Sequence, residues 1–232
     1  MRETLDALAM QSDPDFSLVL VDNASTDAGP AIAARFARDR ARTLVIHEPQ
    51  KGTGAAADTG FRVAISNGAR WIARTDADCL PDLDWVRNLK RALCDDGLEF
   101  VAGRIRPRID EGHLTPLTWA MLAAMIWAAE NYGRVHRRGP QFRYRYFLAA
   151  GNNLAISASL YELSGGFPRT AIERNHEDRA LSERVRTLTS RGAVRDDVIV
   201  YNSVRRVRAY GCINTMRWYL NHGYRPQTVD VR

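Results

Sequence analysis

The sequence predicts an α/β protein built on an open, mostly parallel sheet flanked by helices. Three observations carry that prediction. Phe16–Val21, Thr43–His47 and Trp71–Thr75 are short apolar, β-prone runs, of the kind that form strands buried on both faces. The intervals between them carry helical spacing: Ile32 and Phe36, then Ala57, Phe61 and Ile65. Strand, helix, strand, helix, strand in that order implies parallel strands joined by right-handed crossovers.

The elements follow in order. Leu5, Leu8 and Ala9 mark one face of an opening helix, and Pro14–Asp15 a turn. The first strand ends in Asp22-Asn23-Ala24-Ser25-Thr26-Asp27, after which Pro30 suits a first helical turn. Lys51-Gly52-Thr53-Gly54 is a glycine-rich turn, and Gly68 is the stop of the helix that follows it. Asp82 reads as an N-cap and Asp84 as a first-turn acid for a helix striped by Trp85, Leu89 and Leu93. Phe100–Ala102 is a short strand, with Arg104, Arg106 and Arg108 alternating after it. Thr115-Pro116 opens a Trp-rich helix, read as buried or interfacial, and Arg134–Arg145 is a basic loop. Phe147–Ile156 is expected as a strand, Gly165-Gly166 as a helix end, Val198–Tyr201 as a last strand, and Met216–Leu220 as a final helix. With no repeat or linker, residues 1–232 read as one domain.

Composition narrows the partners. The net charge is +6, which suits anionic partners such as nucleotides or lipid phosphates. No helix-turn-helix, zinc or RNA-recognition signature is present, so nucleic acid is not expected. Three cysteines, an odd number without metal spacing, favour a reduced, cytoplasmic setting. The first residues are too charged for a signal peptide, and no apolar run reaches the ~18 residues that span a bilayer.

The chemistry concentrates in two acidic segments. Asp76-Ala77-Asp78 follows the third strand directly. If the chain stays extended there, residues i and i+2 point the same way. Both carboxylates then face one crevice at a strand end, and suit Mg²⁺ or Mn²⁺ bound to a diphosphate. Asp13-Pro14-Asp15 and Asp82-Leu83-Asp84 share the spacing but not the position. Asp22, Gly52 and Asp76 fall at equivalent strand ends on one rim. Downstream, Glu177-Asp178 precedes a helix striped by Leu181, Val185 and Leu188; it reads either as a helix cap or as a general base.

Two other readings stay open on these residues. Gly52-Thr53-Gly54-Ala55-Ala56-Ala57 fits a dinucleotide fingerprint with Asp76 as the ribose acid, as in an oxidoreductase. That reading leaves Asp78 and Glu177-Asp178 without a role. The other is a binding module without turnover. The five histidines read as surface or hydrogen-bonded residues, His222 being considered as an extra metal ligand.

Together these segments resemble the family 2 glycosyltransferases. Val21-Asp22-Asn23-Ala24-Ser25-Thr26-Asp27, Lys51–Gly60, Thr75-Asp76-Ala77-Asp78, Gly151-Asn152-Asn153, Gly165-Gly166-Phe167 and Glu177-Asp178-Arg179-Ala180-Leu181-Ser182-Glu183-Arg184 are similar to that family's motifs in order and spacing over about residues 16–190. The resemblance implies a GT-A fold with a Rossmann-like, mostly parallel sheet. Residues 1–110 would bind a nucleotide-sugar; residues 111–232 would supply the acceptor side and the base. It implies inverting transfer with Mn²⁺ or Mg²⁺. Asp22, Asn23, Gly52 and Asp76 would hold the donor, and Asp76 and Asp78 the metal. Asp178 would be the base, with Glu177 orienting, and Asn152, Asn153 and Arg106 would be acceptor-side residues. The acceptor would be a sugar, a lipid-linked molecule or a small molecule, of cell-envelope, glycolipid or natural-product type. The arginines hint at peripheral association with the inner face of a membrane. Family members normally begin with a strand central to the sheet, whereas this chain starts at the helix after it. Unpaired strand edges are expected there. Asn214–Trp218 is close to a processive-synthase motif but has Asn for Gln.

Overall fold

The computed structural model describes residues 1–112, 114–135, 139–169 and 176–221, with backbone alone at 132–135 and 218–221. The amphipathic helix α1 (Arg2–Ala9) leads into β1 (Leu18–Asp22), α2 (Gly29–Arg38), β2 (Thr43–His47), α3 (Thr53–Ser66) and β3 (Trp71–Arg74). β1 and β2 pair in parallel, with Asp22 opposite His47. This is the predicted βαβ unit.

Beyond it the sheet is mixed. β4 (Leu80–Pro81), β5 (Phe100–Pro107), β6 (Leu154–Ser157) and β7 (Gly192–Asn202) join β3 in the order β3-β6-β5-β7-β4. Of these pairings only β5–β7 is parallel. Among the described residues β1 pairs only with β2, and β3 only with β6, so their other edges are unpaired. α3 nonetheless packs on both β1 and β3, and Leu18 and Trp71 join one apolar cluster. The two strands therefore lie under one helix without bonding each other. Here the expectation of strands buried on both faces fails: every residue of β1 is half-buried, and Ala73 in β3 is exposed. A strand with one neighbour leaves its other flank to water.

The core obeys the period of two along a strand. Phe100 and Ala102, with Leu154 and Ile156, pack on one face against α3, α6 (Ala158–Leu163) and α7 (Glu177–Leu188). Val101 and Ala155 point to the other face, against α4 (Trp85–Lys90) and Val198 and Val200 of β7. α5 (Pro116–Val135) packs on the base of α8 (Arg205–Asn221); α8 bends at Gly211, whose φ is 75°.

Five elements have boundaries that differ from expectation. The predicted strand from Phe147 begins only at Leu154, because a turn closed by Asn153 N–H on the Ala150 carbonyl (3.0 Å) occupies the preceding residues. β5 and β7 are longer than predicted, since each lends the other a partner through a bulge at Gly103/Arg104. α8 begins well before Met216. The cap of α4 is Asp84, two residues after the predicted Asp82. Asp82 instead accepts the Asp84 N–H at 3.3 Å.

Candidate active site

The site is assembled from strand ends and helix starts. At the C-terminal end of β1, Asp22 bonds the Ser25 N–H (3.0 Å) and His47 Nδ1 (2.9 Å). Ser25 first, and His47 second, hold its carboxyl below the usual range. Asn23 staples two loops: its Nδ2 donates to the Glu48 and Gln50 carbonyls, and its Oδ1 accepts the Gly52 N–H at 2.8 Å. Gly52 has φ of 145°, a region that glycine enters at little cost.

From Gly52 the contacts pass to the second acidic segment. A Cβ on Gly54 would stand 2.2 Å from the Pro168 carbonyl oxygen and 3.3 Å from Glu177 Cβ. Only glycine lets the start of α3 approach the start of α7 so closely. Arg169 adds a clamp, its guanidinium on Glu48 (2.8 Å) and Thr59 (2.8 Å). Thr59 and Arg169, with the Gln50 N–H, hold Glu48 down to about 2.

At the centre is Arg74, which the sequence motifs did not single out. Its guanidinium lies 3.2 Å from Asp76 and 3.4 Å from Glu177, and over the Phe167 ring at 5.5 Å. One buried cation thus joins the acid after β3 to the acid opening α7. Burial opposes its charge, but Asp76, Glu177 and Asp178 outweigh that and raise its pKa. A signal was present: an arginine inside the apolar run Trp71-Ile72-Ala73, two residues before an acid. A buried arginine requires a charged or polar partner.

Asp178 accepts the Gly151 N–H at 3.1 Å and the Arg179 N–H at 2.7 Å. Its pKa is raised, by burial first and by the Glu177 charge second; the two N–H groups and Arg74 act in opposition. It is therefore a carboxylate with more affinity for a proton than an exposed one has.

Asp76 and Asp78 depart from the extended geometry predicted for them. The Cys79 N–H closes a turn on the Asp76 carbonyl (3.1 Å). Asp76 goes to Arg74, while Asp78 meets Arg205 at the start of α8 (3.0 Å). Beneath the turn, Asn152 donates to Cys79 Sγ (3.5 Å), while its buried Oδ1 and the Thr75 Oγ1 have no hydrogen-bond partner. Asp76, Asp78, Thr75 and Asn152 are all oxygen donors of the kind a hard divalent cation takes, but here the two carboxylates turn to different arginines, and the described residues include no group of three or more His, Cys, Asp or Glu side chains placed around one ion.

The remaining predicted residues lie elsewhere. Asn153 is buried in the core, bonded to Trp85 Nε1 (2.9 Å) and to the Arg104 and Val198 carbonyls. Arg106 pairs with Glu130 on α5 (3.4 Å), as does Arg104 (3.2 Å). Arg108 is buried among Glu3, Asp110 and Glu111. The three alternating arginines thus have acidic partners within the chain. His222 and residues 136–138 of the basic loop lie outside the described residues.

Comparison with known proteins bears on family and fold. Residues 1–159 match the model of a family described as Glycosyl transferase family 2. Glycosyltransferase AglE of Haloferax volcanii is 31% identical over 109 residues, 45% of this chain and 34% of that protein. The chain spans about a third or less of the curated relatives it matches. Two solved structures share its fold. Staphylococcus aureus TarS 1-349 in complex with UDP has a TM-score of 0.63 at 15% identity, covering 97% of this chain and 62% of that one. The mannosyltransferase PcManGT of Pyrobaculum calidifontis, with GDP-Man and Mn²⁺, has a TM-score of 0.62 at 21% identity, covering 97% and 61%. Fold, motif order and family model converge: the chain has the GT-A fold and belongs to glycosyl transferase family 2.

Proposed function

We propose that this chain transfers a sugar from a nucleotide-sugar to an acceptor hydroxyl with inversion at the anomeric carbon, assisted by Mn²⁺ or Mg²⁺. The observation that carries this reading is the Arg74 bridge, which joins Asp76 to Glu177, a residue 103 positions beyond Arg74. Donor-side and base-side acids then share one cation. Asp22, Asn23 and Gly52 line the nucleoside side. Asp76 and Asp78, with Thr75 and Asn152 as further oxygen donors, would hold the metal, which would supply positive charge against a diphosphate. Asp178 takes the proton from the acceptor hydroxyl as its oxygen attacks the face opposite the diphosphate. The Gly151 and Arg179 N–H groups fix the orientation of that carboxylate. Glu177, held by Arg74, keeps the start of α7 against the donor loop. TarS in complex with UDP and PcManGT with GDP-Man support a nucleotide donor. The family match favours this over the oxidoreductase reading.

The test is a screen of nucleotide-sugars with Mn²⁺ for release of nucleoside diphosphate, comparing wild type with Asp78→Ala and Asp178→Asn. Release that depends on both residues is expected. Release unchanged in Asp78→Ala removes the metal assignment. Binding of nucleoside diphosphate with no release from any nucleotide-sugar points instead to a binding module.

A further inference from the structure

From Leu117 to Ala129, α5 carries a single polar residue, Thr118. Its inner side, Trp119, Leu122, Met125 and Ile126, packs with Val204 and with Val207 of α8. Its outer side is no more polar. Leu117, Ala120, Met121, Ala124, Trp127 and Ala128 are all exposed, and their spacing draws one stripe along three turns. Leu117 is 70% exposed and Trp127 67%. A helix with one face in the core and the other in water ordinarily carries charge on the outer face.

The stripe continues onto α8. Met121 and Ile213 line the same groove of about 540 Å³, with Thr118 on one wall and Arg208 on the other. Beyond the bend at Gly211, Ile213, Met216 and Arg217 are exposed at the i, i+3, i+4 positions of one helix face. The cations at this surface are Arg205, which meets Asp78, Arg208, which donates to the Glu111 carbonyl, and Arg217. Arg205, Arg208 and Arg217 are exposed, and α8 contains no acid. The one acid of α5, Glu130, is paired with Arg104 and Arg106. The result is an apolar centre with a cationic border, formed by two adjoining helices. No helix among the described residues is long and apolar enough to cross a membrane, so such a surface lies on a bilayer rather than in it.

We propose that α5 and α8 form an interfacial face that docks on an anionic lipid bilayer. The apolar stripe enters the headgroup–acyl boundary and the arginines meet lipid phosphates. A second copy of the chain is the poorer occupant, because a two-fold contact sets the same patch against itself and brings Arg208 and Arg217 toward their own copies. Since Arg205 also bonds Asp78, docking holds the Asp76–Cys79 turn beside the lipid surface. The inference does not require that the site be a transferase.

Vesicle flotation tests it without reading activity. The full chain is mixed with vesicles of phosphatidylcholine and phosphatidylglycerol, about 3:1, or of phosphatidylcholine alone. Wild type is expected to float with the anionic vesicles and to be released as salt rises from about 0.1 to 1 M, where the screening length falls from about 10 to 3 Å. Met121→Asp with Trp127→Asp should lower binding at least about tenfold, and Arg217→Ala about fivefold. Leu44→Asp, an exposed apolar site on β2, should bind as wild type. Unfolding midpoints near wild type certify that the variants fold. Equal flotation of all variants overturns the proposal, as does failure of the wild type to float. A concentration-dependent dimer in sedimentation velocity that Met121→Asp abolishes, without vesicle binding, assigns the face to a second copy instead.

Discussion

At the residue scale, the chemistry turns on which acids have a cation and which do not. Glu177 has Arg74; Asp178 is left with backbone N–H groups and burial. Its raised pKa sets the sign of two predictions. Transfer requires the ionised form, so the acid limb of the rate against pH should lie above the ordinary aspartate range; a limb at or below that range sinks the assignment of Asp178 as base. For stability, a carboxyl whose folded pKa is raised contributes fully below its unfolded pKa and loses that contribution as pH rises through the folded one. Asp178→Asn should therefore be inactive yet raise the neutral-pH melting temperature by about 2–4 °C. A fall in melting temperature contradicts the burial argument. Arg74 is the converse case. Replacing it with Met leaves Glu177 buried beside Asp178 with no cation, and breaking a buried pair costs about 3–5 kcal/mol. Denaturant unfolding of Arg74→Met and Arg74→Lys checks this, with Lys recovering part of the loss. Sequence disclosed Asp22, Asp76, Asp78, Glu177 and Asp178, because acids after apolar runs stand out. It did not disclose their pairings, which for Asp78 and Glu177 depend on arginines 127 and 103 residues away.

At the element scale, helix starts position the acids. The starts of α3 and α7 come together at Gly54, where a Cβ would strike the Pro168 backbone. Backbone moves less readily than a side-chain tip, so Gly54→Ala should push the donor loop from Glu177 and cost about 1–3 kcal/mol. Its activity loss should appear mainly in the KM for the nucleotide-sugar. An unchanged KM and melting temperature would show that the two helices do not depend on that approach. Nearly all element types were legible, because apolar spacing reports helix or strand wherever the chain packs on itself. The failures came where tertiary pairing extends or stops an element. β5 and β7 lengthen against each other, and the predicted Phe147 strand yields to the Ala150–Asn153 turn. The Asp76–Cys79 turn belongs with these: two aspartates at i and i+2 look alike in an extended chain and in a turn.

At the scale of the molecule, the sheet is in two parts. β5, β6 and β7 are buried on both faces at Phe100, Val101, Ala102, Leu154, Ala155, Ile156, Val198 and Val200, whereas β1 is half-buried with one partner. Local opening follows buried contacts. Hydrogen exchange should therefore be slowest in β5–β7 and faster in β1–β2; equal protection would mean that the β1 edge is covered in solution. Because Asp22, Asn23 and Gly52 sit on the less protected part, a bound donor should slow exchange there most.

By itself the sequence determined the class of fold, the order of its elements, the positions of the acids and the family resemblance. These are properties of local spacing and residue type, which survive whatever the distant chain does. Only the tertiary structure decided that the sheet is mixed and that Arg74 joins the two acidic segments. It also decided that Arg104, Arg106 and Arg108 are neutralised within the chain while the outer face of α5 stays bare. Each depends on which groups meet across long separations, where charge and burial are settled by neighbours that no local pattern names.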